Sequence, residues 1–224
     1  MLAVYAHPDD PDVAAGGALA LWAAAGSEVH VCIAADGAKG SSDPNVDPVE
    51  LAGRRRGEVA EAGRELGVAA HHWLGRCDGE IEDTAELREV LVRLVRDLRP
   101  DVVVGADPTA VFFGQSYVNH RDHRALGWAT IDAVSPAAAS PHYFPSSGSA
   151  HRVSTLYLSG TLEPDVWVDI GTTVDTKAAA VGCHRSQLGE PGEWLRSVVL
   201  ERAETAGRAA GVRYAEGFRR VRLS

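Results

Sequence analysis

Cysteine is scarce in this sequence: Cys32, Cys77 and Cys183 are an odd number in 224 residues, far apart and without C-x-x-C spacing. A disulfide framework and a thiolate zinc site are therefore not expected, and a reduced cytoplasm fits best. Positive charge is also short, with 22 basic residues against 31 acidic ones and a formal net charge of -9. Such a chain has no electrostatic reason to approach nucleic acid or an anionic bilayer. The one basic triplet, Arg54-Arg55-Arg56, falls in a strongly helical stretch and reads in part as a solvated helix face. No apolar run is long enough for a bilayer, which needs about 20 residues; the longest, residues 13–26, is short and rich in Ala and Gly. The opening residues carry no basic region and run straight into His7-Pro8-Asp9-Asp10, so no secretory leader is expected. These absences leave a soluble, cytoplasmic protein, read as one domain over 1–224, with a homo-oligomer left open.

What is present is alternation. Short apolar runs suited to buried parallel strands occur at residues 2–6, 29–34, 70–74 and 101–106, with further strands at 152–158 and 166–170. Helical patterns lie between them. The first starts at Asp10-Pro11, an Asp at the cap and a Pro in the first turn. The second covers 48–66 and stops at Gly67, suited to a left-handed cap. A third begins near Asp83, with Glu86 as a capping-box partner, and ends before Pro100. Later helices are expected near 173–184 and 193–210, and residues 135–150 read as a loop. This order predicts an α/β, Rossmann-like three-layer fold with a mostly parallel central sheet. Active sites in such folds form outside the carboxyl ends of the strands.

Two clusters sit at such strand ends. His7-Pro8-Asp9-Asp10 puts an imidazole and two carboxylates on one turn. A catalytic zinc takes three protein ligands from His and Asp/Glu and leaves a fourth position for water, and this turn can supply two of them. His7 and Asp10 can reach one ion while Asp9 reaches the water; alternatively, Asp10 simply caps its helix. The second cluster, His120-Arg121-Asp122-His123, opens a helix and sets two imidazoles one turn apart on one face. Following the fourth strand, it belongs on the same edge of the sheet as His7. Two clusters on one rim carry more weight than either alone.

These residues resemble the PIG-L/LmbE-like deacetylases, zinc amidases acting on N-acetylglucosaminyl and related compounds. The likeness rests on Ala6-His7-Pro8-Asp9-Asp10 with Gly16-Gly17, and on His120-x-Asp122-His123. Supporting pieces are Asp36-Gly37, Arg56 with Glu58, Asp107-Pro108, His184-Arg185-Ser186-Gln187 and Glu216-Gly217-Phe218. The resemblance implies Zn2+ held by His7, Asp10 and His123. It implies Asp9 as general base and His120, paired to Asp122, stabilising or protonating the transition state. Arg56 and Asp78 lie where the family reaches polar groups of a sugar. Two departures are visible: Pro11-Asp12 follows the first motif where many members have Glu, and Val118, beside Tyr117, stands where some place a tyrosine. The expected activity is removal of an acyl group from an N-acylated amino sugar or related small molecule, with an activated water attacking the amide. His184 is expected either to line the pocket or to face the negative end of its helix.

Rival readings remain. A nucleotide-binding Rossmann protein fits the alternation, but no G-x-G-x-x-G follows the first strand, and acidic residues sit where a phosphate would go. A metal-dependent phosphoesterase can also be built from His/Asp clusters, around two ions about 3.5–4 Å apart. An inactive metal-binding relative would keep the ion and release no product.

Overall fold

The structure, a computed structural model, describes residues 1–189 and 192–223. Its strands are β1 (Leu2–Tyr5), β2 (His30–Ala35), β3 (Ala70–Arg76), β4 (Val102–Ala106), β5 (Phe112–Phe113), β6 (Tyr117–Val118), β7 (Thr155–Ser159), β8 (Val166–Asp169) and β9 (Ala215–Arg222). Seven of them form one sheet in the order β3-β2-β1-β4-β7-β9-β8. The pairs β3–β2, β2–β1, β1–β4 and β4–β7 are parallel, whereas β9 runs antiparallel to both β7 and β8. The helices are α1 (Asp10–Ala24), α2 (Pro48–Leu66), α3 (Ala85–Leu98), α4 (Arg121–Asp132), α5 (Val174–Gly182), α6 (Arg185–Leu188) and α7 (Glu193–Ala210).

Period-two alternation along β1 makes the three layers. Leu2 and Val4 pack with Leu87, Leu91 and Val95 of α3 and Leu126 of α4. Ala3 and Tyr5 point the other way, onto Ala15 and Leu19 of α1 and Val59 of α2. Full burial of β1 on both faces explains why its one polar group is the Tyr5 hydroxyl, matched to Ser159 Oγ at 2.8 Å. The close seat of α1 depends on Gly17, where an added Cβ would lie 2.7 Å from the Ile170 side chain.

Helix ends follow local chemistry. Asp47 accepts the amides of Val49 and Glu50 ahead of Pro48, and Gly67 closes α2 at φ 75°. The start of α3 differs from the capping box expected at Asp83. Thr84 is the cap, its Oγ1 accepting the Leu87 amide, while Asp83 pairs with Arg88 and Glu86 with Arg76. Asp10 likewise lies one residue inside α1 and does not cap it. Sequence reading missed β9, whose Arg219, Arg220 and Arg222 mask an inward set of Ala215, Glu216 and Phe218. It also missed the β5–β6 hairpin, whose strands have only two residues each. Beyond α4 the chain kinks at Ser135, whose backbone is extended at φ -146° and ψ 119°, and the loop that follows winds around the Arg96 guanidinium.

The site is positioned by connectivity. From β1 the chain steps outward to β2 and β3, then returns to the other side of β1 as β4. The reversal leaves a crevice beyond the carboxyl ends of β1 and β4, and both His/Asp clusters hang over it.

Candidate metal centre and active site

His7 leaves β1 as the chain turns into α1. Its backbone amide donates to Asp10 Oδ2 at 2.8 Å, folding that carboxylate back over the turn. The same oxygen lies 3.3 Å from His7 Nδ1 and 3.1 Å from His123 Nε2, and the two ring nitrogens are 3.1 Å apart. Three donor atoms thus form a nearly equilateral triangle. Ligand atoms about 2.0–2.1 Å from one zinc at tetrahedral angles are separated by roughly 3.3 Å, so the triangle has the edge length of one face of such a site.

Surrounding hydrogen bonds orient these donors. Asn119 Nδ2 donates to Ala110 O at 2.7 Å, which turns Oδ1 toward His123 Nδ1 at 3.0 Å. His123 Nδ1 therefore carries the proton, and Nε2 offers its lone pair to the triangle. His7 Nε2 faces Asp78 Oδ1 at 3.2 Å and Asp122 Oδ2 at 3.3 Å, so it is the donor and Nδ1 the free lone pair. Two lone pairs and a carboxylate aimed at one point repel one another unless a cation or a proton sits among them. The residues fit a divalent ion.

Without an ion, protons take that part. Burial acts to lower the His7 pKa, but hydrogen bonds to Asp10 and Asp78 outweigh it and push it up to about 10. Burial would raise Asp10, yet the hydrogen bonds from His123 and His7 hold it well below the ordinary carboxylate range. Asp78 is lowered as well, its contact with His7 overcoming burial.

His7, His120 and Asp122 form a second group of nearby donors. It shares His7 with the first, and a neutral imidazole has one lone pair, so only one group can be completed. Asp122 is committed elsewhere: fully buried, it accepts the amides of Gly79 at 2.7 Å and Ile81 at 3.2 Å. The expected pairing of Asp122 with His120 is absent as a side-chain contact. Instead His120 Nδ1 accepts the Asp122 backbone amide at 3.2 Å and caps α4. Burial and the neighbouring His7 lower the His120 pKa, against the raising pull of Asp122. With Nδ1 accepting the Asp122 amide, the neutral ring carries its proton on Nε2.

Asp9 lies next to the triangle, and Arg55 Nη2 donates to its Oδ1 at 2.8 Å. Arg55 is buried and also donates to Gly37 O at 3.0 Å; Gly37, at φ 72°, has no Cβ to collide with the guanidinium. Sequence reading treated this triplet as a surface feature and favoured Arg56, but Arg56 is exposed with its guanidinium 4.6 Å from the Trp73 ring. One helical residue separates the two, about 100° around the axis, and only burial shows which points inward. Asp78, expected at a sugar, is buried against His7 with its other oxygen on the Lys39 amide.

His184 neither lines the crevice nor faces a helix end. Wholly buried, it bonds Asp12 through Nε2 at 2.5 Å, and burial raises the Asp12 pKa. Nearby, Glu58 accepts both the amide and the hydroxyl of Ser186. These ties fasten the segment around α6 to α1 and α2, behind the first motif. Tyr117, 51% exposed, lines a cavity of about 700 Å³ together with Asp10, Asn119 and His123.

The chain is similar to known proteins over nearly its whole length. A diacetylchitobiose deacetylase from Thermococcus kodakarensis is 34% identical over 232 residues, covering 99% of this chain and 82% of that one. A 1D-myo-inositol 2-acetamido-2-deoxy-alpha-D-glucopyranoside deacetylase from Saccharopolyspora erythraea is 34% identical over 178 residues, covering 69% and 62%. The solved structure of N,N'-diacetylchitobiose deacetylase from Pyrococcus horikoshii superposes with a TM-score of 0.88 at 31% identity, covering 99% of this chain and 83% of that one. Residues 2–134 match the PIG-L family, described as GlcNAc-PI de-N-acetylase, and with both motifs and the crevice between them in place the chain belongs to that family of deacetylases, hydrolases of non-peptide C–N amide bonds.

Proposed function

We propose that the protein is a zinc-dependent deacetylase whose substrate is an N-acetylated amino sugar or a small conjugate of one, with 1–224 acting as one catalytic unit. The observation that carries this reading is the triangle of His7 Nδ1, Asp10 Oδ2 and His123 Nε2, with edges of 3.1–3.3 Å and both rings oriented by outer hydrogen bonds. An ion held there supplies Lewis-acid activation of water and of the amide carbonyl.

The chain's own groups do the rest. Asp9, fixed by Arg55, takes the proton of the attacking water and is placed to pass it to the leaving nitrogen. With its Nδ1 capping α4, His120 keeps Nε2–H to donate to the oxygen on which charge develops. Asp122 and Asp78 hold His7 in the tautomer that presents Nδ1. Sugar hydroxyls meet the polar loops after β2 and β3, where Asp36, Lys39, Asp78 and Glu80 lie. The relatives named above, one acting on diacetylchitobiose and one on an acetamido-glucopyranoside of inositol, support this substrate class. A two-ion phosphoesterase is not favoured, since both donor groups need the single lone pair of His7.

The test is amine release from a panel of free N-acetylglucosamine, its inositol and malate conjugates and short chitin oligomers, with elemental analysis of the purified protein. Release from one class by protein carrying one zinc per chain is expected. Absence of release from every amide in the panel, with the ion bound, would remove the reading.

A further inference from the structure

An apolar groove opens directly beside the proposed catalytic group. A cavity of about 320 Å³ has Asp9 at one end and walls formed by Leu188, Leu195, Val198 and Val199. Val13, Ala14 and Arg202 line both this cavity and the larger one that holds Asp10 and His123, so the two meet over the first turns of α1. Lys177 and Glu216, which line the groove, are already matched to each other, while the exposed Arg202 stands where the two cavities meet. Lys177 Nζ donates to Glu216 at 2.6 Å and to Val13 O, and Glu216 accepts the Gly17 and Ala18 amides. At its mouth Val13, Trp194 and Val198 are 40%, 52% and 36% exposed, apolar surface for which packing among the described residues gives no reason.

We propose that this groove is an acyl-chain subsite, so that the enzyme removes N-acyl groups longer than acetyl. The inference rests on the amidase reading of the site and adds the direction in which the substrate lies. At a planar amide the nitrogen and the acyl carbons leave the carbonyl on opposite sides. Polar loops after β2 and β3 flank β1 on one side, matching the sugar; the apolar groove lies on the other, beneath α5, α7 and β9. A sugar placed toward Asp36 and Lys39 sends the acyl carbons past Val13 and Ala14 into the groove. Its aliphatic walls suit methylenes, and the charged groups that line it are the Lys177–Glu216 pair, Asp9 and the exposed Arg202.

The experiment compares N-acetyl-, N-butanoyl-, N-hexanoyl- and N-octanoylglucosamine with the zinc-loaded protein, reading kcat/KM from amine release. A fully buried methylene contributes about fourfold and a half-covered one about twofold, so hexanoyl should exceed acetyl by at least roughly tenfold. Trp194→Ala and Val198→Glu, both at exposed positions, should flatten that rise while leaving acetyl turnover unchanged. Acetyl hydrolysis that stays level or falls with chain length would overturn the inference and leave the amidase reading intact. So would a gain seen equally with alkyl glycosides of N-acetylglucosamine, which would assign the groove to the aglycone. No hydrolysis at any chain length would remove both.

Discussion

Loading the metal-free protein with zinc should release a proton from His7 at pH values where an ordinary histidine has none to give. The magnitude follows from the carboxylates around the ring, which push its pKa up to about 10 when no ion is present. An unperturbed imidazole, near 6.5, is about 90% neutral at pH 7.5, and its metal affinity would change by only about 1.1-fold from there to pH 8.5. For His7 the same interval should strengthen binding roughly tenfold, because one proton must leave for each ion bound. At pH 7.5 that proton opposes binding by roughly 3 kcal/mol. Asp10, held well below the ordinary carboxylate range, has no proton to lose in this window. Chelator-buffered zinc titrations at several pH values, with calorimetry in two buffers of different ionisation enthalpy, measure both quantities. Asp78→Asn, which removes one carboxylate from Nε2, should move the plateau to lower pH. A flat affinity above pH 7.5 and a buffer-independent enthalpy would refute the argument that His7 is held protonated by its neighbours.

Four further outcomes are expected. Asp9→Ala should bind zinc normally and lose nearly all turnover, whereas His123→Ala should lose both; elemental analysis and an amine-release assay separate them, and near-normal turnover in zinc-replete Asp9→Ala would contradict the base assignment. Arg55→Gln removes a buried guanidinium from Asp9 and Gly37 O and should lower kcat by about 10–100-fold, as misplacement near the chemistry does, with zinc content unchanged. Arg96→Met should cost roughly 3 kcal/mol or more in urea unfolding, because it strips charged donors from carbonyls at Ala137, Ala138, Ser140, Tyr143, Phe144 and Gly148. The metal-free protein should lose thermal stability as pH rises from about 7 toward 10: the contribution of His7, whose pKa is raised on folding, is complete below its ordinary value near 6.5 and disappears as the folded value is passed. Zinc-loaded protein should not show that fall in Tm.

The strand–helix order and the strand ends were legible because their causes are local. An apolar run between breakers can only be buried, and Pro48 and Gly67 mark α2 through their own backbone preferences. The clusters at His7–Asp10 and His120–His123 were visible as unusual polar residues after such runs. Less was legible where partners are distant. Asn119 sets the His123 tautomer, but it carries no sign of this beyond preceding His120. Asp122 reads from the sequence as a partner of His120 and Asp78 as a sugar contact, because the His7 ring that both meet is 115 and 71 positions away. β9 was missed because Arg219, Arg220 and Arg222 break its apolar pattern, and its buried set shows only once β7 and β8 lie on either side.

By itself the sequence determined that a buried strand ends in His7-Pro8-Asp9-Asp10, that a helix opens at His120, and that both lie on one edge of an α/β sheet. Periodicity and cap chemistry act over a few residues, so one chain suffices to read them. Only the tertiary structure decided that β4 returns beside β1, bringing His123 within 3.1 Å of His7, and that Arg55 rather than Arg56 meets Asp9. Those outcomes depend on which surfaces are buried against which. A difference of 100° around a helix axis or a change of neighbouring strand reverses them without altering any local pattern.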